Sequence, residues 1–328
     1  MRRLALTASL AAALAVASGL MAQGAYSVPG AGAETKRGAP TVREFWIAAV
    51  PTTWNIVPSG RDPISGETFE PSETVIRTVT YRRFSPRWRR PLRNGHPNET
   101  GGGAIPGPLI RARVGDRIVV HFKNMDTLRD APHSMHFHGV RYPASSDGSW
   151  IPTFSGRGGR VEPGETFTYR LRAVRGSIGV WPYHDHSPTM MESIAGGMYG
   201  AISIFGRREK RPDREFVVFF EATADFETIN GRAFLGNTPV YRARKGERVQ
   251  WDVLALGSEH HTFHVHGHRW REPDGAFRDT KTIGPADSFS FRWQEDVGGP
   301  WLYHCHVEDH MDRGMIGLYR VPGRRSPQ

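Results

Sequence analysis

Apolar residues in this chain occur in short runs that are separated by turn residues. Four runs rich in β-branched and aromatic residues illustrate the pattern: Arg117 to Phe122, Thr166 to Leu171, Phe216 to Phe220 and Phe289 to Trp293. Gly, Pro and Asp residues interrupt such runs, and no long stretch has the 3.6-residue period of a helix. The pattern predicts an all-β fold of the sandwich class.

Several motifs occur twice, in the same order along the chain. The matched pairs are Val114–Ile118 with Lys245–Val249, His136–Gly139 with His264–Gly267, Trp181–His186 with Trp301–His306, and Gly197–Gly200 with Gly314–Gly317. The spacing between the two copies shortens steadily from the first pair to the last, which indicates duplication of one structural unit. We therefore predict two β-sandwich domains, residues 42–207 and 208–328, joined near the charged segment Arg207 to Arg214.

The N-terminus has the features of an export signal. Two arginines precede an apolar run from Leu4 to Leu20, and Ala22 and Gly24 suit the −3 and −1 positions of a cleavage site. The run is short for a membrane span, so a retained anchor is the weaker alternative. We predict a signal peptide at residues 1–24, a flexible segment at 25–41, no stable membrane insertion, and a periplasmic or extracellular location.

Composition narrows the possible functions. The formal net charge of +10 is spread along the chain, without the concentrated basic and aromatic patch of a nucleic-acid-binding protein. We therefore expect no nucleic acid partner. The single cysteine, Cys305, rules out an intramolecular disulfide. Because an exported protein meets an oxidising environment, a lone thiol there suggests that a metal occupies it.

Cys305 lies in a cluster of residue types that can act as copper ligands. His304, His306, His310 and Met315 accompany it within twelve residues. Adjacent side chains of a strand point to opposite faces, so Cys305 is expected to face away from His304 and His306. One strand would then serve two different metal sites, one on each face.

The same strand argument assigns His261 to the thiolate side. His261 precedes His264 by three residues, so in an extended segment the two side chains face opposite ways. His310 and Met315, five and ten residues after Cys305, would close the site. Two histidines, one cysteine and a distant methionine form the ligand set of a blue-copper centre. A structural zinc site would use four strong ligands instead of a thioether.

The opposite face collects paired histidines. One His-x-His pair carries little information, but four pairs at matching positions of a duplicated unit predict a metal cluster. The eight histidines are His136, His138, His184, His186, His264, His266, His304 and His306. Asp185 occupies the repeat position of Cys305, so the first domain is predicted to lack the thiolate site.

With these motifs the chain resembles the multicopper oxidases, and in particular their two-domain, small-laccase branch. The resemblance covers roughly residues 42 to 322 and implies two cupredoxin-like Greek-key domains with four coppers per functional unit. The type 1 copper would be bound by His261, Cys305, His310 and axial Met315. The type 2 copper would be bound by His136 and His264, and the type 3 pair by His138, His184, His186, His266, His304 and His306.

Two further residues match the small-laccase pattern after the first histidine motif. The resemblance implies that Asp147 assists proton delivery to oxygen and that Tyr142 lies near the trinuclear cluster as a redox participant. Alternatively, Asp147 caps a loop and Tyr142 packs in the core. His133 has no partner at a ligand spacing, and we predict no metal role for it.

The resemblance implies a laccase-type reaction, in which phenolic or similar donors are oxidised at the type 1 copper and O2 is reduced to water. It also implies a homotrimer with trinuclear clusters between subunits, although pairing within one chain is an alternative. Glu308, Asp309 and Asp312 surround His310, which leaves open a metallo-oxidase acting on Fe²⁺ or Cu⁺. A copper nitrite reductase is less consistent, because its blue site would be expected where this chain has Asp185.

Overall fold

Alternation of buried and exposed residues explains why strands dominate the chain. In Ser288–Gln294, for example, Phe289 and Phe291 face the interior while Ser290 and Arg292 face outward. The computed structural model describes residues 40–96, 103–153 and 156–323. These residues form nineteen strands and a few short helical turns, which confirms the predicted all-β class.

Eight strands build the first sandwich. They are β1 (Val42–Asn55), β2 (Val75–Phe84), β3 (Ile110–Arg113), β4 (Arg117–Asn124), β5 (His136–Phe137), β6 (Thr166–Arg172), β7 (Gly179–His184) and β8 (Tyr199–Phe205). Sheet A has the order β2-β1-β4-β6, and sheet B has the order β3-β8-β7-β5. In each sheet one neighbouring pair is parallel, β1 with β4 and β3 with β8.

Eleven strands follow. They are β9 (Arg214–Thr223), β10 (Phe226–Ile229), β11 (Val240–Arg242), β12 (Arg248–Ala255), β13 (His261–Val265), β14 (Trp270–Arg271), β15 (Phe277–Arg278), β16 (Thr280–Ile283), β17 (Ser288–Gln294), β18 (Gly299–Cys305) and β19 (Ile316–Val321). Sheet C has the order β10-β9-β12-β17, and sheet D has the order β11-β19-β18-β13-β16. Strands β14 and β15 form a separate hairpin.

Helical structure is confined to short turns. The α-helices are α1 (Pro71–Thr74), α2 (Met190–Ala195) and α3 (Glu308–Asp312), and 3₁₀ turns occupy Pro86–Trp88, Ala144–Ser146, Arg157–Gly159 and Arg175–Ser177. Among the described residues, no helix has the length and apolar character needed to cross a membrane. The predicted signal peptide lies outside the described residues.

Three apolar cores separate the four sheets. One core fills the space between sheets A and B and includes Phe122 and Tyr183, while a second lies between sheets C and D and includes Trp251 and Tyr303. A third core joins residues of β7 and β8 to residues of β9 and β12, so sheet B packs against sheet C. The layers therefore follow the order A, B, C, D, and the described residues form one compact unit.

The structure reproduces the repeat at the level of strand register. His136 pairs with His184 between β5 and β7, and His264 pairs with His304 between β13 and β18. The residue after His184 or His304 makes the same hydrogen bond in both halves, because the backbone N–H of Asp185 donates to the Met198 carbonyl and that of Cys305 donates to the Met315 carbonyl. The two histidine sets are therefore built on equivalent frameworks.

Candidate metal centres

Cys305, His261 and His310 meet in the interior of the second sandwich. The Cys305 Sγ atom lies 3.9 Å from His261 Nδ1 and 3.7 Å from His310 Nδ1, and the two Nδ1 atoms are 3.1 Å apart. All three side chains are buried. His261 therefore lies on the side of Cys305, opposite the paired histidines, as strand parity predicted.

Backbone hydrogen bonds fix the thiol and its neighbours. The Thr262 N–H donates to Cys305 Sγ over 3.3 Å. The Cys305 N–H donates to the Met315 carbonyl, and the Met315 N–H donates to the His310 carbonyl. Met315 is completely buried in the same core as Cys305. The three segments that carry the predicted type 1 ligands are therefore linked to one another.

The donor set of this site fits a copper ion. Burial, followed by the proximity of His310, lowers the pKa of His261 to about 4, so the ring is neutral and presents a lone pair at neutral pH. Burial also raises the pKa of the Cys305 thiol, and a bound metal would oppose this effect by stabilising the thiolate. A thiolate and two imidazoles around one point are ligands that copper prefers.

The four histidines of the second sandwich form a compact set. His266 Nε2 and His304 Nε2 are 3.1 Å apart, and His264 joins them with donor atoms within 4.8 Å of one another. The His306 ring lies 5.4 Å from the rings of His264 and His304. His264 lies on β13 and His304 on β18, while His266 and His306 are the residues just after these strands.

The first sandwich carries an equivalent set. His138 Nε2 lies 3.1 Å from His184 Nε2, and the ring contacts among His136, His138, His184 and His186 span 5.0 to 5.8 Å. Within the described part of the chain, no close group of three or more histidine, cysteine or acidic side chains mixes the two sets. Each sandwich therefore assembles its own four histidines.

Backbone carbonyls orient several of these rings. The Nδ1 atoms of His136, His184, His264 and His304 lie 2.7 to 2.9 Å from the carbonyls of Asp147, Asp185, Asp279 and Cys305. A ring whose Nδ1–H donates to a carbonyl keeps its Nε2 lone pair for a metal. Burial, with smaller effects from neighbouring histidines, lowers the pKa of His138, His184 and His304 to about 4. Both sets thus offer imidazole nitrogens that fit copper ions.

The first sandwich has an ion-paired network where the second has its thiol site. His133 Nε2 lies 3.1 Å from Asp126 and His133 Nδ1 lies 3.6 Å from Asp185, with all three side chains fully buried. Burial opposes protonation of His133, but the hydrogen bonds and charges of Asp185 and Asp126 prevail and raise its pKa. His133 precedes His261 by the same spacing that separates His136 from His264. That shared spacing is a signal in the sequence that the prediction for His133 did not use.

Asp147 and Tyr142 both lie beside His136. The Asp147 carbonyl contacts His136 Nδ1 at 2.7 Å, its carboxylate lies 3.7 Å from the same atom, and the Tyr142 ring centroid is 6.2 Å from that of His136. Burial and the Asp147 charge raise the pKa of Tyr142 to about 12. Burial opposes ionisation of Asp147, yet hydrogen bonds led by Ser149 keep its pKa low. Asp147 is therefore a carboxylate adjacent to a predicted ligand.

Two glutamates form a carboxylate site against His310. Glu259 Oε2 lies 3.1 Å from His310 Nε2, and donor atoms of Glu227, Glu259 and His310 lie within 4.8 Å of one another. Glu227 is 1% exposed, with neither carboxylate oxygen hydrogen-bonded among the described residues, and its one ion-pair contact there is Arg313 at 3.8 Å. Burial, followed by the charge of Glu259, raises the pKa of Glu227 to about 7.

A third glutamate lies deeper than this pair. Glu221 is buried, and burial together with the charges of Glu227 and Glu259 raises its pKa to about 8. The acidic residues singled out from sequence, Glu308, Asp309 and Asp312, are instead exposed on α3. Glu259 precedes His261 by two residues, just before β13 begins, so its nearness to a predicted ligand was a signal in the sequence. Glu227 is distant in sequence and carried no such signal.

Comparison with known proteins identifies the family. Two family models, both described as multicopper oxidase, match residues 91–209 and 207–324. A crystal structure of a multicopper oxidase superposes with a TM-score of 0.65 at 25% sequence identity, covering 86% of this chain and 90% of that chain.

Two curated relatives are longer proteins. A probable nitrite reductase-hydroxylamine oxidoreductase fusion protein from Kuenenia stuttgartiensis is 32% identical over 241 residues, which is 66% of this chain and 27% of the relative. The human ferroxidase HEPHL1 is 26% identical over 353 residues, which is 87% of this chain and 30% of the relative. The chain thus spans under a third of the length of either relative. Because both family models match it, the chain belongs to the multicopper oxidase family.

Proposed function

We propose that this multicopper oxidase takes electrons from a metal ion, with Fe²⁺ as the donor, and reduces O2 to water. The observation that supports this proposal is the position of His310. Its Nε2 atom contacts Glu259 at 3.1 Å, while its Nδ1 atom lies 3.7 Å from Cys305 Sγ. A cation held by Glu227 and Glu259 would therefore lie beside one edge of a ring whose other edge faces the thiol.

The chemistry of this carboxylate site favours iron among the metal donors. Glu227 and Glu259 offer oxygen ligands and His310 offers an imidazole, whereas Cu⁺ prefers thioether and thiolate ligands. Glu227 has buried carboxylate oxygens without hydrogen-bond partners among the described residues, and a cation would satisfy them. The ferroxidase named above points in the same direction.

A phenol would meet less favourable surroundings at the same edge. The laccase-type reaction expected from the sequence would need apolar contacts around the ring of a small organic donor. At His310 Nε2 the neighbouring groups are instead the carboxylates of Glu227 and Glu259. We therefore place phenol oxidation second to iron oxidation.

The ligand roles in this proposal follow the family resemblance. His261, Cys305, His310 and Met315 would hold the type 1 copper. His136 and His264 would hold the type 2 copper, and the type 3 pair would be held by His138, His184, His186, His266, His304 and His306. When bound, these four coppers supply one-electron oxidation of the donor and four-electron reduction of O2.

Residues of the chain link the thiol site to the histidine set and supply a path for protons. Cys305 is covalently joined to His304 and His306 through one peptide unit each, which provides the shortest through-bond link between the thiol site and the second histidine set. Asp147 keeps a carboxylate beside His136 and contacts the predicted redox residue Tyr142. We propose that Asp147 delivers protons to the oxygen site.

A complete trinuclear cluster needs both histidine sets. Because each set contacts its own members, we propose that three chains assemble head to tail and bring the first set of one chain to the second set of its neighbour. A heterologous contact of this kind closes into a ring when its rotation permits. We also propose that the protein is exported, consistent with the residues at its N-terminus.

Nitrite reduction is the remaining alternative. Asp185 stands at the repeat position of Cys305 and pairs with His133, so the first sandwich offers no thiolate for a blue site. The decisive experiment is oxygen uptake by the copper-loaded protein with Fe²⁺, Cu⁺ and a phenol, beside nitrite consumption with a reduced donor. We expect Fe²⁺ to give the highest kcat/KM and one O2 to be consumed for four Fe²⁺. Faster turnover of phenol or nitrite would refute the proposal.

A further inference from the structure

The loop that joins β10 to β11, residues 230–239, packs against the segment that carries Met315. The Phe234 N–H donates a hydrogen bond to the Gly314 carbonyl at 2.8 Å. Gly314 has a φ of 118°, and a Cβ atom there would lie 2.5 Å from the Cβ atom of Ala233. The close approach of the loop therefore requires a glycine directly before the predicted axial ligand.

A second hydrogen bond holds the chain directly after Met315. The Thr238 hydroxyl donates to the Ile316 carbonyl at 2.7 Å. Thr238 is 2% exposed and Ile316 is buried as well, so water does not compete for this contact. Loss of the hydroxyl would take a donor away from a buried carbonyl, which is costly. The loop thus fixes the backbone on both sides of Met315.

The repeat shows that the Thr238 hydroxyl belongs to the second sandwich alone. Gly107 precedes Thr238 by the spacing of the first matched motif, and Tyr199 precedes Ile316 by the spacing of the last. In the first sandwich the backbone N–H of Gly107 donates to the Tyr199 carbonyl at 2.7 Å. The equivalent carbonyl is therefore held in both sandwiches, but a side chain holds it in the sandwich that has the thiol site.

The first sandwich anchors the same loop. The Trp54 indole N–H donates to the Gly231 carbonyl at 2.5 Å, and the Arg232 guanidinium lies over the Trp54 ring, 3.8 Å from its centroid. The Ala233 N–H donates to the Ile56 carbonyl at 3.1 Å. Because Trp54 and Ile56 are buried, these contacts leave the loop little freedom to move with the Met315 segment.

The backbone of the loop is strained at the residue that contacts Gly314. Phe234 has a φ of 69°, in the left-handed region that bulky residues rarely adopt. Its ring is held by stacking on Phe69, with centroids 5.1 Å apart, and by an edge contact with Phe226 at 5.9 Å. A strained residue that its surroundings keep in place is typical of a position with a functional constraint.

We propose that this loop positions Met315, and that Thr238 is a positioning residue for the reduction potential of the type 1 copper. The axial ligand tunes the potential of a blue-copper centre. Cys305 and His261 lie on β18 and β13, so a shift of the Met315 segment would move the thioether relative to the other ligands. The inference rests on the type 1 site of the proposed function and not on its donor.

Thr238→Val tests this role, because valine keeps the shape of the side chain and lacks the hydroxyl. The reduction potential of the blue copper is measured in the copper-loaded full chain by titration with redox mediators. We expect an upward shift, part of the way to the potential of Met315→Leu, because a less firmly held thioether stabilises oxidised copper less. Thr238→Ser retains the hydroxyl and should keep the wild-type potential.

Thr78→Val is the matched control. Thr78 is also 2% exposed, and its hydroxyl donates to the Gly196 carbonyl at 2.8 Å in the first sandwich. Both valine variants should lower Tm, since each takes a donor from a buried carbonyl, but Thr78→Val should keep the wild-type potential. Blue absorption should remain in every variant and shows that the type 1 site is folded.

An unchanged or lower potential in Thr238→Val, beside a raised potential in Met315→Leu, would refute the positioning role of Thr238. An equal shift in Thr238→Ser or in Thr78→Val would also refute it, because the hydroxyl at this position would not be the cause. A wild type without blue absorption, or a Met315→Leu variant with an unshifted potential, would overturn the type 1 assignment and this inference together. Iron oxidation is measured separately, so failure of the proposed donor can be told apart from failure of this inference.

Discussion

Glu259 Oε2 lies 3.1 Å from His310 Nε2, on the ring edge opposite the one that faces Cys305. One imidazole therefore contacts both a carboxylate site and the thiol site. Glu259 is 49% exposed while Glu227 behind it is 1% exposed, so the carboxylates lead from the surface to the ring. In the proposed function, His310 is the ligand that the Fe²⁺ donor and the type 1 copper would share.

Replacement of the Cys305 thiol should remove the type 1 copper and leave the other coppers bound. Cys305→Ser removes the thiolate responsible for the blue colour but leaves all eight paired histidines in place. We expect loss of the intense visible absorption and of one copper per chain, with the remaining copper retained. Metal analysis together with visible and paramagnetic resonance spectra measure this. Met315→Leu is the matched variant and should stay blue with a shifted reduction potential; blue colour in Cys305→Ser would contradict the assignment.

Asp147 should affect oxygen reduction without affecting donor oxidation. Its carboxylate lies 3.7 Å from His136 Nδ1, and loss of a positioned group that accepts a proton and passes it on typically slows a reaction by about a hundredfold or more. We expect Asp147→Asn to lower kcat for oxygen uptake by about that factor, while anaerobic reduction of the blue centre by the donor keeps its rate. Asp274→Asn, in an exposed turn, is the control. Equal slowing of both half-reactions would argue for a structural role.

The buried network of the first sandwich should contribute to stability. His133 lies between Asp126 and Asp185 with no exposure to solvent, and replacement of Asp185 removes one of its two buried carboxylate partners. We expect Asp185→Asn to destabilise the folded state by about 3 kcal/mol, seen as a lower Tm of the metal-free protein. Asp130→Asn, at an exposed position of left-handed backbone that asparagine tolerates, should leave Tm unchanged. Similar Tm values for both variants would contradict this prediction.

Glu295 should contribute to stability in acid. It is 1% exposed, and although burial opposes its ionisation, hydrogen bonds from His268, Tyr319 and Trp293 lower its pKa to about 2. A lowered pKa stabilises the folded state above the ordinary value of 4.5, and this contribution is lost as pH falls from there towards the lowered pKa. The contribution at neutral pH is roughly 3 kcal/mol.

Glu295→Gln is the corresponding test. We expect its Tm to lie well below that of the wild type at pH 6 and to approach the wild-type value near pH 2.5, because the wild type loses the contribution there. Glu67→Gln, on an exposed loop, should track the wild type throughout. A Tm difference that stays constant between pH 6 and pH 2.5 would show that Glu295 acts by packing alone.

The sequence predicted the fold because the repeat and the strand pattern are local signals. His261 was placed beside Cys305 by strand parity alone, and the structure confirms that these side chains meet. Assembly of the carboxylate site could not be predicted in the same way. Glu227 lies on β10 and reaches His310 only through the packing of distant segments, so no spacing in the sequence relates them.

Other features were present in the sequence but were not used. The spacing between His133 and His261, equal to that between His136 and His264, relates the ion-paired network to the thiol site. The match of Arg43-Glu44-Phe45 with Arg214-Glu215-Phe216 lies outside the histidine motifs. Only the strand register of the structure shows that the two glutamates occupy equivalent positions in their sheets. Sequence repeats thus located equivalent positions, while the structure showed what each position contacts.

The most direct test of the proposed donor site is the specificity of a double variant, Glu227→Gln with Glu259→Gln. Oxygen uptake is measured with Fe²⁺ and with a phenol in the variant and in the wild type. The account predicts that kcat/KM for Fe²⁺ falls by about tenfold or more, because the cation loses two carboxylates, while kcat/KM for the phenol stays within about twofold. An unchanged value for Fe²⁺, or an equal loss for both donors, would contradict it.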